Sequence, residues 1–201
     1  ASPVALALAL ETLAVQSATQ GASGAGQREK IRFLEARFAQ RWGGMGAIAE
    51  AFGVACAAAS DTERAIHWYR QAVAANDGSA SLKASEQLAN LSVRQAWSRV
   101  AQALGKSVAG DALHALIAQA RLDIAAGTEA LAALIRIAPT IERESLLGSA
   151  YKRLALVEEA AQRDAARAAA MVRMAEHYGH AEALAAEADD PAYFYPALNR
   201  M

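Results

Sequence analysis

The stretch that most constrains the fold is residues 46–77, which read GAIAEAFGVACAAASDTERAIHWYRQAVAAND. It reads as two short amphipathic helices separated by a Ser-Asp break. Small side chains let two antiparallel helices approach closely, and an aromatic ring can fill the gap that the approach leaves. The positions with this pattern are Gly53 in the first helix and Ala65, Tyr69 and Ala72 in the second. The stretch therefore predicts a tight helical hairpin.

This spacing resembles the tetratricopeptide repeat (TPR), a helical hairpin of about 34 residues. A later segment, TIERESLLGSAYKRLALV, repeats the leucine–glycine–tyrosine pattern of a first TPR helix at Leu147, Gly148 and Tyr151. Tyr178 and Ala181 follow as the counterparts of a second helix. The segments LKASEQLAN and YFYPALNR are also similar to divergent TPR regions of large bacterial proteins.

The resemblance implies an all-α fold, a right-handed α-solenoid of antiparallel helix hairpins with roughly ten helices. We expect residues 1–45 to form N-terminal capping helices and residues 46–201 to form the TPR-like repeats. Together they would make one continuous domain, a fragment of a longer protein. TPR arrays hold protein segments in a concave groove, so the implied partner is a protein or peptide, or another domain of the same polypeptide. The expected role is a scaffold or interaction module and not an enzyme.

The composition agrees with a helical chain and argues against one class of partner. Alanine is abundant, proline occurs four times, and 54% of residues are hydrophobic, which favours helices over strands. The net charge of -1 argues against a nucleic-acid partner, although Arg163, Arg167 and Arg173 form a local alternative. The apolar residues 3–14 are too short to span a membrane. Cys56, the lone cysteine, reads as a buried small residue. A single cysteine fits a cytoplasmic protein. No cofactor is expected.

Local signals divide the N-terminal part of the chain. Residues 4–19 and 27–40 read as the first two helices, and the glycine-rich residues 21–26 read as a flexible break between them. Ser60 with Glu63 has the spacing of a capping box at the start of the second helix in the clear hairpin.

The C-terminal part carries weaker signals. Asp111 and Thr128 are each expected to cap a helix, so that two helices form a tight hairpin ended by Pro139. Residues 158–173 contain no turn signal and predict either an elongated helix or an inserted one. Residues 192–200 look like the start of a further helix.

Polar residues recur at helical spacing along the helices that would line the groove. Asn90 could bond to the backbone of an extended peptide, and the nearby cations would favour an acidic segment or a free carboxylate. The alternative is an ordinary solvated face with a local ion pair between Glu86 and Arg94. The predicted peptide-binding residues are Lys83, Glu86, Asn90 and Arg94 in one helix and Ser149, Lys152 and Arg153 in another.

The four histidines do not predict a catalytic or metal site. His177 and His180 are three residues apart, a spacing that can hold Zn²⁺, but no cysteine or third histidine lies close in sequence. We interpret them as two exposed histidines beside a helix break. His67 is expected to be partly packed between helices, and His114 to be a core histidine.

Two other functions compete with the interaction module. The first is a helical enzyme or small-molecule sensor with a pocket near His67, Trp68 and Tyr69. The second is a self-association module, in which Trp42, Trp97 or the aromatic residues 193–195 form an exposed patch.

Overall fold

The computed structural model describes residues 2–19 and 24–188. Within these ranges the chain forms eight α-helices and no strand, which confirms the predicted all-α fold. The predicted helix at residues 192–200 and residues 21–23 of the predicted break lie outside the described residues, while residues 24–26 of that break belong to the second helix. None of the eight helices combines the length and the apolar character needed to cross a membrane. The helices are α1 Pro3–Thr19, α2 Gly24–Trp42, α3 Gly46–Ala58, α4 Thr62–Ala74, α5 Leu82–Gly105, α6 Gly110–Ile137, α7 Ile141–Ala160 and α8 Asp164–Glu187.

The first of two compact units spans Ala1–Leu91. In it α3 packs along α4, and α1 packs mainly against α3. Phe52 of α3 and Trp68 of α4 stack with ring centroids 4.5 Å apart. Helix α1 adds its inward stripe to this core, consisting of Leu6, Leu10 and Leu13. The predicted capping helices therefore share one core with the clear repeat hairpin.

The α3–α4 hairpin has the close approach that its sequence predicts. A Cβ atom built on Gly53 would lie 2.9 Å from the ring of Tyr69, closer than side-chain carbons pack. Both Ala65 and Ala72 are fully buried beside this contact. The glycine is therefore required by the neighbouring helix, and the tyrosine occupies the space next to it.

The turns around this hairpin differ in one detail from the prediction. Asp61, and not Ser60, caps α4, because its carboxylate accepts a hydrogen bond from the backbone of Arg64. Ser60 instead adopts a left-handed conformation with φ of 58°. Its side chain therefore does not form the predicted capping box.

Side chains after α4 bond back to the start of α3. The Asp77 carboxylate accepts hydrogen bonds from the backbone N–H groups of Gly46, at 3.0 Å, and Ser79, at 2.9 Å. The backbone N–H of Ser81 donates to Glu50 in α3 at 2.8 Å. The bond to Asp77 satisfies the Gly46 amide, one of those that the first turn of a helix leaves without a partner. Together these hydrogen bonds hold the residues that follow α4 against the beginning of α3.

The second compact unit spans Ser92–Met201, and α5 runs from the first unit into it. Here α7 packs along α8, and α6 packs against α7. Arg143 of α7 is buried and donates a hydrogen bond of 2.6 Å to the Ala138 carbonyl at the end of α6. Fully buried residues of this unit include Ile124, Leu131, Leu147, Val157 and Tyr178.

The predicted hairpin within residues 111–138 is wrong, because α6 is one continuous helix of 28 residues. Thr128 does not cap a helix; its hydroxyl donates to the Ala125 carbonyl in the same helix at 2.8 Å. Gly127 is buried in the middle of the helix. A glycine and a threonine weaken a helix but do not end it when packing favours its continuation.

Of the two alternatives for residues 158–173, the elongated helix is also wrong. Helix α7 ends at Ala160 and α8 begins at Asp164, with Gln162 in a left-handed conformation at φ of 56°. The Arg163 N–H bonds back to the Glu158 carbonyl at 2.9 Å. A left-handed residue in this position ends a helix in the way that glycine usually does.

Candidate functional site

The first predicted surface, called here the α5 surface, consists of Lys83, Glu86, Asn90 and Arg94. Lys83 and Arg94 are exposed, Asn90 is half-buried and Glu86 is buried. Glu86 is paired with Lys83 at 3.3 Å, one turn earlier in the helix. The α5 surface presents a guanidinium one turn after an amide.

The second predicted surface, called here the α7 surface, consists of Ser149, Lys152 and Arg153. The Arg153 guanidinium donates to the Ser149 carbonyl at 3.0 Å and also to its hydroxyl. Lys152 is exposed, while the other two side chains are half-buried. The structure therefore brings Ser149 and Arg153 together on α7.

Several expectations for aromatic and histidine residues are wrong. His67 and His114 are both exposed, whereas a partly packed and a core histidine were expected. Trp68 and Tyr69 are buried in the core of the first unit, whereas the neighbouring His67 is exposed. Trp42 is buried and stacks on Phe38, so it is not an exposed patch for self-association. Trp97 is half-buried, and residues 193–195 lie outside the described residues.

A cluster that the sequence did not predict lies between α7 and α8. Nδ1 of His177 is 2.8 Å from Oε2 of Glu144, and Nδ1 of His180 is 3.7 Å from the same oxygen. One ligand atom from each residue lies within 4.8 Å of the others. Both histidines are in the interior of α8 and not beside a helix break. His177 is half-buried, and not exposed as expected. We call these three residues the Glu-His-His cluster.

Close packing of α7 against α8 at Gly148 and Tyr178 holds the Glu-His-His cluster in place. A Cβ atom on Gly148 would lie 3.1 Å from the ring of Tyr178, so α7 and α8 are in close contact at this point. Glu144 lies one turn before Gly148, and His177 directly precedes Tyr178. The ring of Tyr151 stacks on His177 with centroids 5.5 Å apart and planes 3° from parallel. Helix packing therefore sets the distance from Glu144 to the histidines.

Sequence reasoning missed Glu144 because it lies 33 residues before His177. The signal that could have found it is the register of the repeat. The sequence pattern places Gly148 and Tyr178 on facing helices; Glu144 lies one turn before Gly148, and His177 is next to Tyr178 in sequence.

Comparison with known proteins agrees with the fold. The sequence model of the family described as "TPR-S: Tetratricopeptide Repeats-Sensor" matches residues 77–201, which is more than half of the chain. Neither the curated proteins nor the solved structures yield a match. The matched range holds the α5 surface, the α7 surface and the Glu-His-His cluster, and it begins where the α3–α4 hairpin ends.

Proposed function

We propose, because the chain belongs to the Tetratricopeptide Repeats-Sensor family, that it binds acidic peptide segments, for which the α5 surface and the α7 surface are each a separate candidate. A TPR-type domain is a helical-repeat module, and modules of this type generally bind proteins. The segment would come from a partner protein or from another domain of the same polypeptide. The observation that carries the proposal is the position of Arg94, exposed one turn after Asn90 within the matched range.

The chemistry of the α5 surface suits an extended chain that carries a carboxylate. The side-chain amide of Asn90 can both donate and accept, as a peptide backbone requires. The Arg94 guanidinium offers two parallel donors to one carboxylate, which adds strength and orientation. Lys83 adds positive charge near the start of the helix, although its ammonium is 3.3 Å from Glu86.

The α7 surface supports the same class of ligand. Lys152 is exposed, and Arg153 is oriented by its bond to Ser149. An ordered guanidinium loses less side-chain entropy on binding than a mobile one. An acidic ligand would therefore gain charge-assisted hydrogen bonds on this helix at a low entropic cost.

The alternatives have less support. An enzyme or sensor pocket around His67 would need that side chain and its neighbours to converge on a cavity, but His67 faces solvent and Trp68 faces the core. Self-association through Trp42 would need an exposed ring, and this ring is buried. Light scattering over a range of concentrations tests self-association through the remaining aromatic residues.

The test is an affinity pulldown from the source cell lysate with the wild-type chain and an Asn90→Ala/Arg94→Ala variant. We expect a specific protein with the wild type and its loss with the variant. The matched control is Arg99→Ala/Gln102→Ala, which removes one guanidinium and one amide from the same helix. Arg99 lies about 140° around the helix from Arg94.

Binding of the captured protein's acidic segment, as a synthetic peptide, then completes the test. We expect the affinity to fall about tenfold or more in the Asn90→Ala/Arg94→Ala variant, the loss of one or two charge-assisted hydrogen bonds. It should stay unchanged in the control. If the Asn90→Ala/Arg94→Ala variant retains the same partner as the control variant does, the proposed α5 surface is contradicted.

A further inference from the structure

We propose that Glu144, His177 and His180 bind a divalent transition-metal ion, and that Zn²⁺ is the ion that suits them. Imidazole nitrogen and carboxylate oxygen are common Zn²⁺ ligands, whereas Mg²⁺ and Ca²⁺ prefer oxygen alone. The site would be independent of the peptide-binding surfaces. It goes beyond the sequence interpretation, which treated the two histidines without Glu144.

The geometry is close to that of a coordination sphere. Zn²⁺ binds nitrogen and oxygen at about 2.0–2.2 Å, so two ligands of a tetrahedral ion lie about 3.4 Å apart. In the structure the two histidine Nδ1 atoms lie 2.8 and 3.7 Å from Oε2 of Glu144. These distances fall on either side of the ideal one. Small side-chain rotations would admit an ion without moving the helices.

The first unit provides an internal comparison. Its α3–α4 hairpin is built on the same glycine–tyrosine contact, between Gly53 and Tyr69. The residues in the places of Glu144, His177 and His180 are Ala49, Trp68 and Gln71. Ala49 and Trp68 are buried and apolar. Close packing of such a hairpin therefore does not require a carboxylate or histidines, and their presence in the second hairpin needs another explanation.

Burial of Glu144 points to a cation as that explanation. This carboxylate is only 5% exposed, and a buried carboxylate is costly unless positive charge compensates it. A structural hydrogen bond to His177 would satisfy one oxygen lone pair. It would not explain why His180, from the next position along the same face of α8, also turns Nδ1 toward that oxygen.

The surroundings agree with a site that exchanges its ion with solvent. The His180 side chain is 65% exposed, which leaves an entry path, while the Tyr151 ring fixes the orientation of His177 from behind. Groups that orient a ligand in this way usually contribute to metal affinity. Three protein ligands leave a fourth position for water or for a group from a partner.

The test uses the full 201-residue chain without a histidine tag, freed of metal with a chelator and titrated with ZnCl₂ in a calorimeter. The variants are His180→Ala, which changes an exposed side chain, and Glu144→Gln, which keeps the shape of the buried one. The matched controls are His67→Ala and His114→Ala, since both residues are exposed histidines outside the cluster. Circular dichroism confirms that each variant is folded.

We expect one equivalent of Zn²⁺ to bind to the wild type, with affinity about tenfold or more weaker in His180→Ala and Glu144→Gln and unchanged in the controls. Co²⁺ in place of Zn²⁺ should give the intense visible bands of a tetrahedral ion. The proposal is overturned by absence of saturable binding, by equal affinity in His180→Ala, or by loss in a control. A sulfur-to-cobalt charge-transfer band would also overturn it, because Cys56 would then be a ligand.

Discussion

The ring of Tyr178 lies against the backbone of Gly148 so closely that a methyl group at residue 148 would come within 3.1 Å of it. Tyr69 lies against Gly53 in the same way, at 2.9 Å. Both rings are at most 3% exposed, so they cannot swing outward. One glycine and one tyrosine thus set the separation of the helices in each of the two hairpins.

Gly53→Ala is expected to destabilise the protein. Overpacking against a buried ring costs about 1–3 kcal/mol, whereas alanine is favoured over glycine in a helix by about 1 kcal/mol. At Gly53 the clash should exceed the gain in helix propensity, with a net loss of up to about 2 kcal/mol in the free energy of unfolding. Urea denaturation followed by circular dichroism measures this difference.

The control is Gly26→Ala in α2, where an added Cβ atom would meet nothing within 4 Å. This change should stabilise the protein by up to about 1 kcal/mol, through helix propensity alone. Equal stability of the two variants would show that Tyr69 yields to the added methyl group.

Arg121→Ala is expected to destabilise the second unit. Arg121 donates to both oxygens of the buried Glu158, at 2.8 and 2.6 Å, and joins α6 to α7. Removing it leaves the carboxylate with Arg163, 3.6 Å away and exposed. Breaking a buried pair costs about 3–5 kcal/mol. Because Arg121 is partly exposed, we expect a smaller cost than for a fully buried pair, about 2 kcal/mol.

Arg167→Ala is the matched control for Arg121→Ala. Arg167 is 3.9 Å from Glu159, and both side chains are largely in solvent. Surface pairs of this kind contribute about 0–1 kcal/mol. An equal effect of the two substitutions in thermal or urea unfolding would mean that Glu158 does not depend on Arg121.

The Asp77 carboxylate should make the free energy of unfolding depend on pH in the acid range. Hydrogen bonds from Gly46 and Ser79 lower its pKa from 3.8 to about 2. A lowered folded-state pKa means that the contribution is present above pH 3.8 and is lost as the pH falls toward 2. The wild type should therefore exceed Asp77→Asn in unfolding free energy at pH 7, and the two should converge near pH 2. A difference independent of pH would contradict this role.

The Cys56 thiol is expected to be unreactive in the folded chain. Burial raises its pKa to about 12, and only the thiolate attacks a disulfide reagent. At pH 8 the native protein should react with such a reagent only as fast as the first unit opens. The denatured chain should react at once. Equally fast reaction in both states would show that Cys56 is exposed.

The clear hairpin could be predicted because its pattern is local and uses rare residues. Gly53 and Tyr69 stand out in an alanine-rich sequence, and each has one evident structural role. The local signal was misleading in the middle of α6 and missing at the end of α7. Gly127 and Thr128 look like a turn but continue a helix, while Gln162 forms a turn without glycine or proline. In both places tertiary packing overrides weak local preference.

The candidate sites show the same limit. The α5 and α7 surfaces follow from helical spacing within one helix, so their residues could be grouped from sequence, and their role in binding stays a prediction. The Glu-His-His cluster joins two helices. Its recognition needs the register between them, and one residue of error moves a side chain by about 100° around the helix.

The bond from Gly46 to Asp77 and the bond from Ser81 to Glu50 each join residues 31 apart. The bond from His177 to Glu144 joins residues 33 apart. Every such contact therefore closes a chain loop of one repeat. Closing a short loop costs less entropy than closing a long one, and chains with mainly local contacts fold fast. We infer that the contacts within each hairpin can form early, before contacts between distant parts of the polypeptide.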